Sequence, residues 1–125
     1  MRRLFVLVPR LAVCRLDPST PLPYWAQGGS FLSVTRTSAE LSVVCEDALV
    51  PEGTQAERGW RAFGVAGTLD FSLTGVLASL AVPLAEAGIS VFAVSTFDTD
   101  YLLVREHSLS QALETLERAG FEVSR

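Results

Sequence analysis

The order of elements in this chain predicts an α+β fold: strand, helix, strand, strand, helix, strand, closing into a four-stranded antiparallel sheet with both helices on one face. Three observations carry that reading. Residues 60–67 (WRAFGVAG) alternate large and small as a strand does, and residues 74–87 then place Val76, Leu77, Leu80, Leu84 and Ala87 at helical spacing. Residues 89–95 and 101–105 are rich in aromatic and β-branched side chains on either side of a short polar loop, the pattern of paired strands. Ser108-Leu109-Ser110-Gln111 fits a capping box with Ser108 as N-cap and Gln111 reaching back. It heads a helix carried on Leu109, Ala112, Leu113 and Leu116, which Gly120 ends before Phe121 and Val123 form a last strand.

Within the first helix, Ser79, Pro83 and Glu86 share the face opposite the apolar stripe. Pro83 is expected to bend the helix or detach its last turn, because it removes a backbone donor and crowds the preceding turn. Gly88 is expected as a left-handed C-terminal cap. In the next strand Phe92 and Val94 alternate with Ile89, Val91 and Ala93, so both faces are apolar. The face without helices then carries an uncovered apolar strip, which predicts self-association, with a two-fold homodimer as the simplest form.

The first half reads as a reduced copy of the same plan, which divides the chain into halves 1–59 and 60–125. Residues 4–8 and 11–16 are strand-like, and the proline-rich stretch 18–23 leaves room only for a short helical turn around Tyr24-Trp25-Ala26. Residues 31–35 and 41–45 form a hairpin around 36–40, and 51–59 is a polar connection. Glu46 and Asp47 end a strand and are expected to be solvated. There is no residue-level repeat, so the duplication rests on element order.

Composition narrows the function. With 125 residues and 49% apolar content the chain suits one domain or two very small halves with a sizeable core. No apolar run reaches the ~18 residues of a membrane span. Arg10 and Arg15 interrupt the apolar start and no small-residue cleavage site follows, so a soluble, cytoplasmic protein is expected. All ten basic residues are arginine, which excludes a lysine Schiff base and a P-loop lysine. The arginines are dispersed and the net charge is −4, so nucleic acid is not an expected partner. One histidine, His107, and no Cys-x-x-Cys leave too few ligands for a metal site, and Cys14 and Cys45 in apolar strand-like segments read as reduced core residues. Ser72, Asp70 and His107 are the residue types of a nucleophilic triad, but the Gly-x-Ser-x-Gly elbow is absent and His107 belongs to a helix start. No catalytic constellation and no cofactor are therefore expected. Trp25 and Trp60 are expected to pack in the core or between subunits.

The residues that carry chemistry lie between Gly67 and Glu106. Asp70, Ser72, Thr74 and Gly75 precede an apolar helix, whose first amides lack intrahelical partners and whose dipole favours an anion. Glycine in the first helical turn costs ~1 kcal/mol against alanine, which points to a close backbone approach at Gly75. Ser95-Thr96-Phe97-Asp98-Thr99-Asp100 sets two carboxylates between two strands. Two residues apart on extended backbone, Asp98 and Asp100 point to opposite sides, so one of them enters a pocket. Together the helix start and the carboxylate suit a free amino acid, which brings a carboxylate for one and an ammonium for the other.

Four stretches, Ser42-Val43-Val44-Cys45-Glu46, Gly59-Trp60-Arg61-Ala62-Phe63, Leu69-Asp70-Phe71-Ser72-Leu73-Thr74-Gly75 and Ser95-Thr96-Phe97-Asp98-Thr99-Asp100-Tyr101, closely resemble the small bacterial ACT-domain proteins. These are related to the CASTOR-type cytosolic arginine sensors of animals, and the resemblance runs from about Phe31 to Phe121. It implies tandem ACT-like units of ferredoxin-like topology, the first of them reduced, that bind amino acids or similar effectors at interfaces without catalysis. It also implies ligand contacts at Leu73, Thr74, Gly75 and Val76 and at Thr96, Phe97 and Asp100, to which the reading of the loop adds Asp98. The first half matches less well, since the proline-rich segment replaces a full helix; a pocket that needs two intact units is then completed by another chain. Some members are labelled aspartate kinases, but this chain has neither the length for a kinase domain nor a lysine-bearing phosphate loop. The competing reading is a structural or protein-interaction module whose pocket is vestigial.

Overall fold

The computed structural model describes residues 2–67 and 75–124. In chain order the strands are β1 (Arg3–Val6), β2 (Leu11–Leu16), β3 (Leu32–Arg36), β4 (Leu41–Glu46), β5 (Ala56–Val65), β6 (Phe92–Ser95), β7 (Asp100–Arg105) and β8 (Glu122–Ser124). The α-helices are α1 (Val76–Glu86) and α2 (Leu109–Arg118). The chain divides into two compact units, Pro9–Trp60 and Met1–Val8 with Arg61–Arg125.

In the Pro9–Trp60 unit the strands run β3-β4-β2-β5 across the sheet, all neighbours antiparallel. Two of its connections carry 3₁₀ turns, Tyr24–Gly28 and Asp47–Leu49. Prolines 18, 21 and 23 leave the first with a single turn, as its sequence implied. That turn still inserts Ala26 into a core of Ala12, Cys14, Leu41, Val43, Cys45 and Val50. Cys14 and Cys45 are free and buried on adjacent strands. Their mutual hydrogen bond holds the Cys14 thiol below its ordinary range and, with burial, pushes Cys45 well above it. β5 begins at Ala56, so the polar connection expected through residue 59 is in its last part a strand. Pairing of Ala56 and Glu57 with Cys14 and Val13 outweighs the polar side chains there.

In the other unit the order is β6-β7-β5-β1-β8. The four-stranded antiparallel sheet expected here is therefore corrected to five strands among the described residues. β1, counted by sequence position with the first half, stands between β5 and β8, antiparallel to β5 and parallel to β8. It belongs there because Leu4, fully buried, fills a gap in the core formed by Phe63, Val65, Leu102 and Val104 from the strands and Leu80, Leu84, Leu113 and Leu116 from the helices. Both helices thus pack into one core.

Each helix ends as its glycine predicts. After α1, Gly88 N–H donates to Ala85 and Ile89 N–H to Leu84; after α2, Gly120 and Phe121 repeat the pattern onto Glu117 and Leu116. Of the two outcomes expected of Pro83 the detached turn does not occur, and the Ser108 cap is overturned. α1 runs through Pro83 to Glu86 without losing its last turn, because the amide that proline lacks is the one that would reach exposed Ser79, where water is at hand. Ser108 makes no side-chain cap, since the 3₁₀ turn Glu106–Ser108 holds it in helical rather than extended backbone.

The helix-free face of this sheet is not a bare strip either. Phe5 and Tyr101 meet edge to face, with ring centroids 6.3 Å apart, across Gly64, where a Cβ would lie 2.7 Å from the Phe5 ring. On the same side Val94 and Leu103 are buried and Phe92 is half-buried.

Candidate functional site

The hairpin between β6 and β7 is held by its own threonines. Thr96 donates its N–H (2.8 Å) and Oγ1 (3.1 Å) to the Thr99 carbonyl, and its Oγ1 accepts the Thr99 N–H at 3.2 Å. Thr99 is buried, and its hydroxyl donates to the Val65 carbonyl at 3.0 Å. The hairpin tip is thereby tied to the end of β5, the strand that leads on through the chain to α1.

At the base of the hairpin Asp100 stands opposite Ser95, whose hydroxyl donates to Oδ1 at 2.7 Å. Residues two apart along a strand share a face, so Asp100 lies on the side of Leu102, the side covered by the helices. Asp100 is half-buried, whereas Asp98 and Thr96 are exposed and Phe97, at the tip, is 77% exposed. Of the two carboxylates one is oriented by a hydroxyl on the helix side and the other is in solvent.

Of the residues expected at the helix start, Leu73 and Thr74 lie outside the described residues, as do Asp70 and Ser72. Gly75 is not inside the first turn but is the N-cap of α1, in left-handed backbone at φ 78° and ψ −1°. No described atom lies within 4 Å of where its Cβ would be. With no crowding among the described residues, the left-handed turn of the backbone accounts for glycine here. Its carbonyl accepts the Ser79 N–H at 2.8 Å, and the Ser79 hydroxyl donates to the Val76 carbonyl at 2.6 Å. Gly75 offers no side chain to cap the first amides of α1, and Val76 packs against the core.

Three polar residues with definite jobs escaped the sequence reading. Thr99 is one, and the others are Glu46 and Asp47, which are not simply solvated. Glu46 accepts the Ser30 N–H (2.5 Å) and hydroxyl (3.1 Å), next to Gly29, where any Cβ would collide with the carboxylate. Asp47 accepts Arg58 Nη1 at 2.7 Å and the Gly59 N–H at 2.9 Å, while Arg58 Nη2 donates to the Val50 and Pro51 carbonyls. With Pro9, Arg10 and Ala48 they line an open depression of about 380 Å³. The Asp47 carboxylate is spent on the bulge at Arg58 and Gly59. The signal in the sequence was that adjacent arginine and glycine, in left-handed backbone at φ 73°, which interrupts the β2–β5 register.

Among the described residues no group of three or more His, Cys, Asp and Glu is placed to hold a metal ion, and no helix is long and apolar enough to cross a membrane.

A family model described as "ACT domain" matches residues 55–118, the segment that contains β5, α1, the β6–β7 hairpin and α2. The chain belongs to the ACT domain family. A second family model, described as an N-terminal domain, matches residues 10–53. The chain is 40% identical over 60 residues to the human protein named cytosolic arginine sensor for mTORC1 subunit 1, a match covering 47% of this chain and 18% of that one. This chain therefore spans a small part of the length of the curated relatives it matches. Among solved structures, an Agrobacterium tumefaciens protein superimposes with a TM-score of 0.93 at 39% identity, covering 98% of this chain and 92% of that one. The regulatory subunit of aspartate kinase from Thermus thermophilus shares the fold, with a TM-score of 0.63 at 13% identity over 92% of this chain and 97% of that one. The ACT domain is thus an α+β, ferredoxin-like one, with β1 as an added strand in its sheet.

Proposed function

We propose that this ACT domain is a non-enzymatic, cytoplasmic regulatory module that binds a free amino acid between the start of α1 and the β6–β7 hairpin. The observation that carries the reading is Asp100: a half-buried carboxylate on the helix side of the sheet, oriented by Ser95, on a hairpin that Thr99 fastens to the end of β5. Such a carboxylate suits an ammonium, and the amides that follow Gly75, which has no side chain to cap them, suit the ligand's carboxylate. The contact set is Leu73, Thr74, Gly75 and Val76 with Thr96, Phe97, Asp98 and Asp100. Arginine is the first ligand to test, because the human relative is named as an arginine sensor. Because the first unit is reduced, the pocket is completed by a second copy, and the working form is a homodimer.

Thermal unfolding against each of the twenty amino acids tests the reading. A ligand at 100 times its dissociation constant adds ~2.7 kcal/mol of stability. A shift produced by one or a few amino acids and lost in Asp100→Ala supports the site. No shift with any of them would leave the protein-interaction reading in its place.

A further inference from the structure

The Val65 carbonyl stands where the two limbs of the proposed site part. Ala66 N–H donates to Arg3 and Leu7 N–H to Ala62, both at 2.9 Å, so along the β1–β5 ladder the alternate residues 62, 64 and 66 bond to β1. The N–H and C=O of Val65 are therefore directed to the other side, toward β7. There the Thr99 hydroxyl donates to the carbonyl at 3.0 Å. Beyond Val65 the chain runs through residues 66–75 to the start of α1, whose Val76 is packed on the core. Thr99 directly precedes Asp100, the first residue of β7. One hydrogen bond thus joins the strand that leads to the α1 limb with the hairpin that carries the carboxylate.

We propose that Thr99 is the positioning residue of this site: it fixes Asp100 at the separation from the start of α1 that lets one amino acid be held at both ends. Its hydroxyl is spent on Val65 and the residue is buried, so it is not itself a contact for the ligand. Its role is geometric. A ligand held by ammonium and carboxylate gains because its second contact forms within the complex made by the first, and that gain exists only while the two limbs keep their spacing. The inference rests on the site proposed above and adds which group sets its dimensions.

Removing the hydroxyl cuts this joint and leaves the turn. The bonds inside the turn, Thr96 N–H and Oγ1 to the Thr99 carbonyl and Thr99 N–H to Thr96 Oγ1, use only backbone atoms of residue 99 and survive in Thr99→Val. Each of the twenty amino acids that raises the wild-type Tm, and the amine left when its carboxylate is removed, is titrated calorimetrically into Thr99→Val and Thr99→Ser. The titrations are run well below the variants' Tm, with circular dichroism as the check of folding. Thr99→Val should raise the amino acid's dissociation constant about tenfold or more and the amine's less than about threefold, while Thr99→Ser, which keeps the hydroxyl, stays within about threefold of the wild type for both. A residue that only stabilises the fold would lower Tm and leave these affinities alone. Wild-type affinity in folded Thr99→Val, an equal loss for amino acid and amine, or a Thr99→Ser variant as weak as Thr99→Val would overturn the role of Thr99 and leave the Asp100 site standing. Thr99→Ala takes the place of Thr99→Val if that variant does not fold. A wild-type protein that no amino acid stabilises overturns the role of Thr99 and the site together.

Discussion

Replacing Gly75 by asparagine, alanine and valine separates the two roles open to this residue. At φ 78° an ordinary L-residue pays ~1–2 kcal/mol for left-handed backbone, and asparagine pays least because it visits that region readily. A β-branched side chain is the least tolerant, so valine should cost ~2 kcal/mol, alanine ~1 kcal/mol and asparagine under ~1 kcal/mol. At roughly 4 °C per kcal/mol for a chain of this size, Gly75→Val should lower Tm by about 8 °C. The space around the added Cβ is open among the described residues, so the penalty is conformational. Calorimetric titration of the folded variants then reads the second role, since a side chain at the head of α1 obstructs a ligand carboxylate approaching the amides. Equal Tm values for the valine and asparagine variants would refute the conformational account. Unchanged ligand affinity in all three would remove Gly75 from the contact set.

Asp100→Ala should weaken amino-acid binding about tenfold, a discount on the cost of removing a fully buried partner because Asp100 is half-exposed, and Asp98→Ala should change it little; titration calorimetry giving the reverse order would show the hairpin to be used from its other side. Thr99→Val keeps the shape but leaves the Val65 carbonyl without its hydroxyl donor, so chemical denaturation should show a loss of ~1–2 kcal/mol; a neutral result would mean that water or a neighbour replaces the bond. Gly64→Ala drives a methyl group into the Phe5 and Tyr101 rings and should cost ~1–3 kcal/mol, with a changed near-ultraviolet circular dichroism from Tyr101; an unchanged spectrum and stability would mean that the rings swing aside freely.

What the chain reveals by itself is whatever depends on neighbours a few residues away. The apolar stripe of α1, the buried Ala112, Leu113 and Leu116 of α2, the two glycine-ended helices and the single turn after the prolines all follow from spacing and backbone preference, and each is where the spacing put it. The β6–β7 hairpin was legible for the same reason, and with it the carboxylates of the candidate site. Tertiary structure decided the rest. β1 joins partners 57 or more residues away because a buried leucine was needed between β5 and β8, and no local pattern records that need. Thr99 finds Val65 across 34 residues, and Asp47 is claimed by Arg58 and Gly59 only once a strand has bulged. Gly75 looked like an interior helix glycine until the left-handed turn before Val76 showed what requires it. Short-range sterics and side-chain period are written in consecutive residues; pairing partners and the satisfaction of buried polar groups depend on which distant segments the fold brings together.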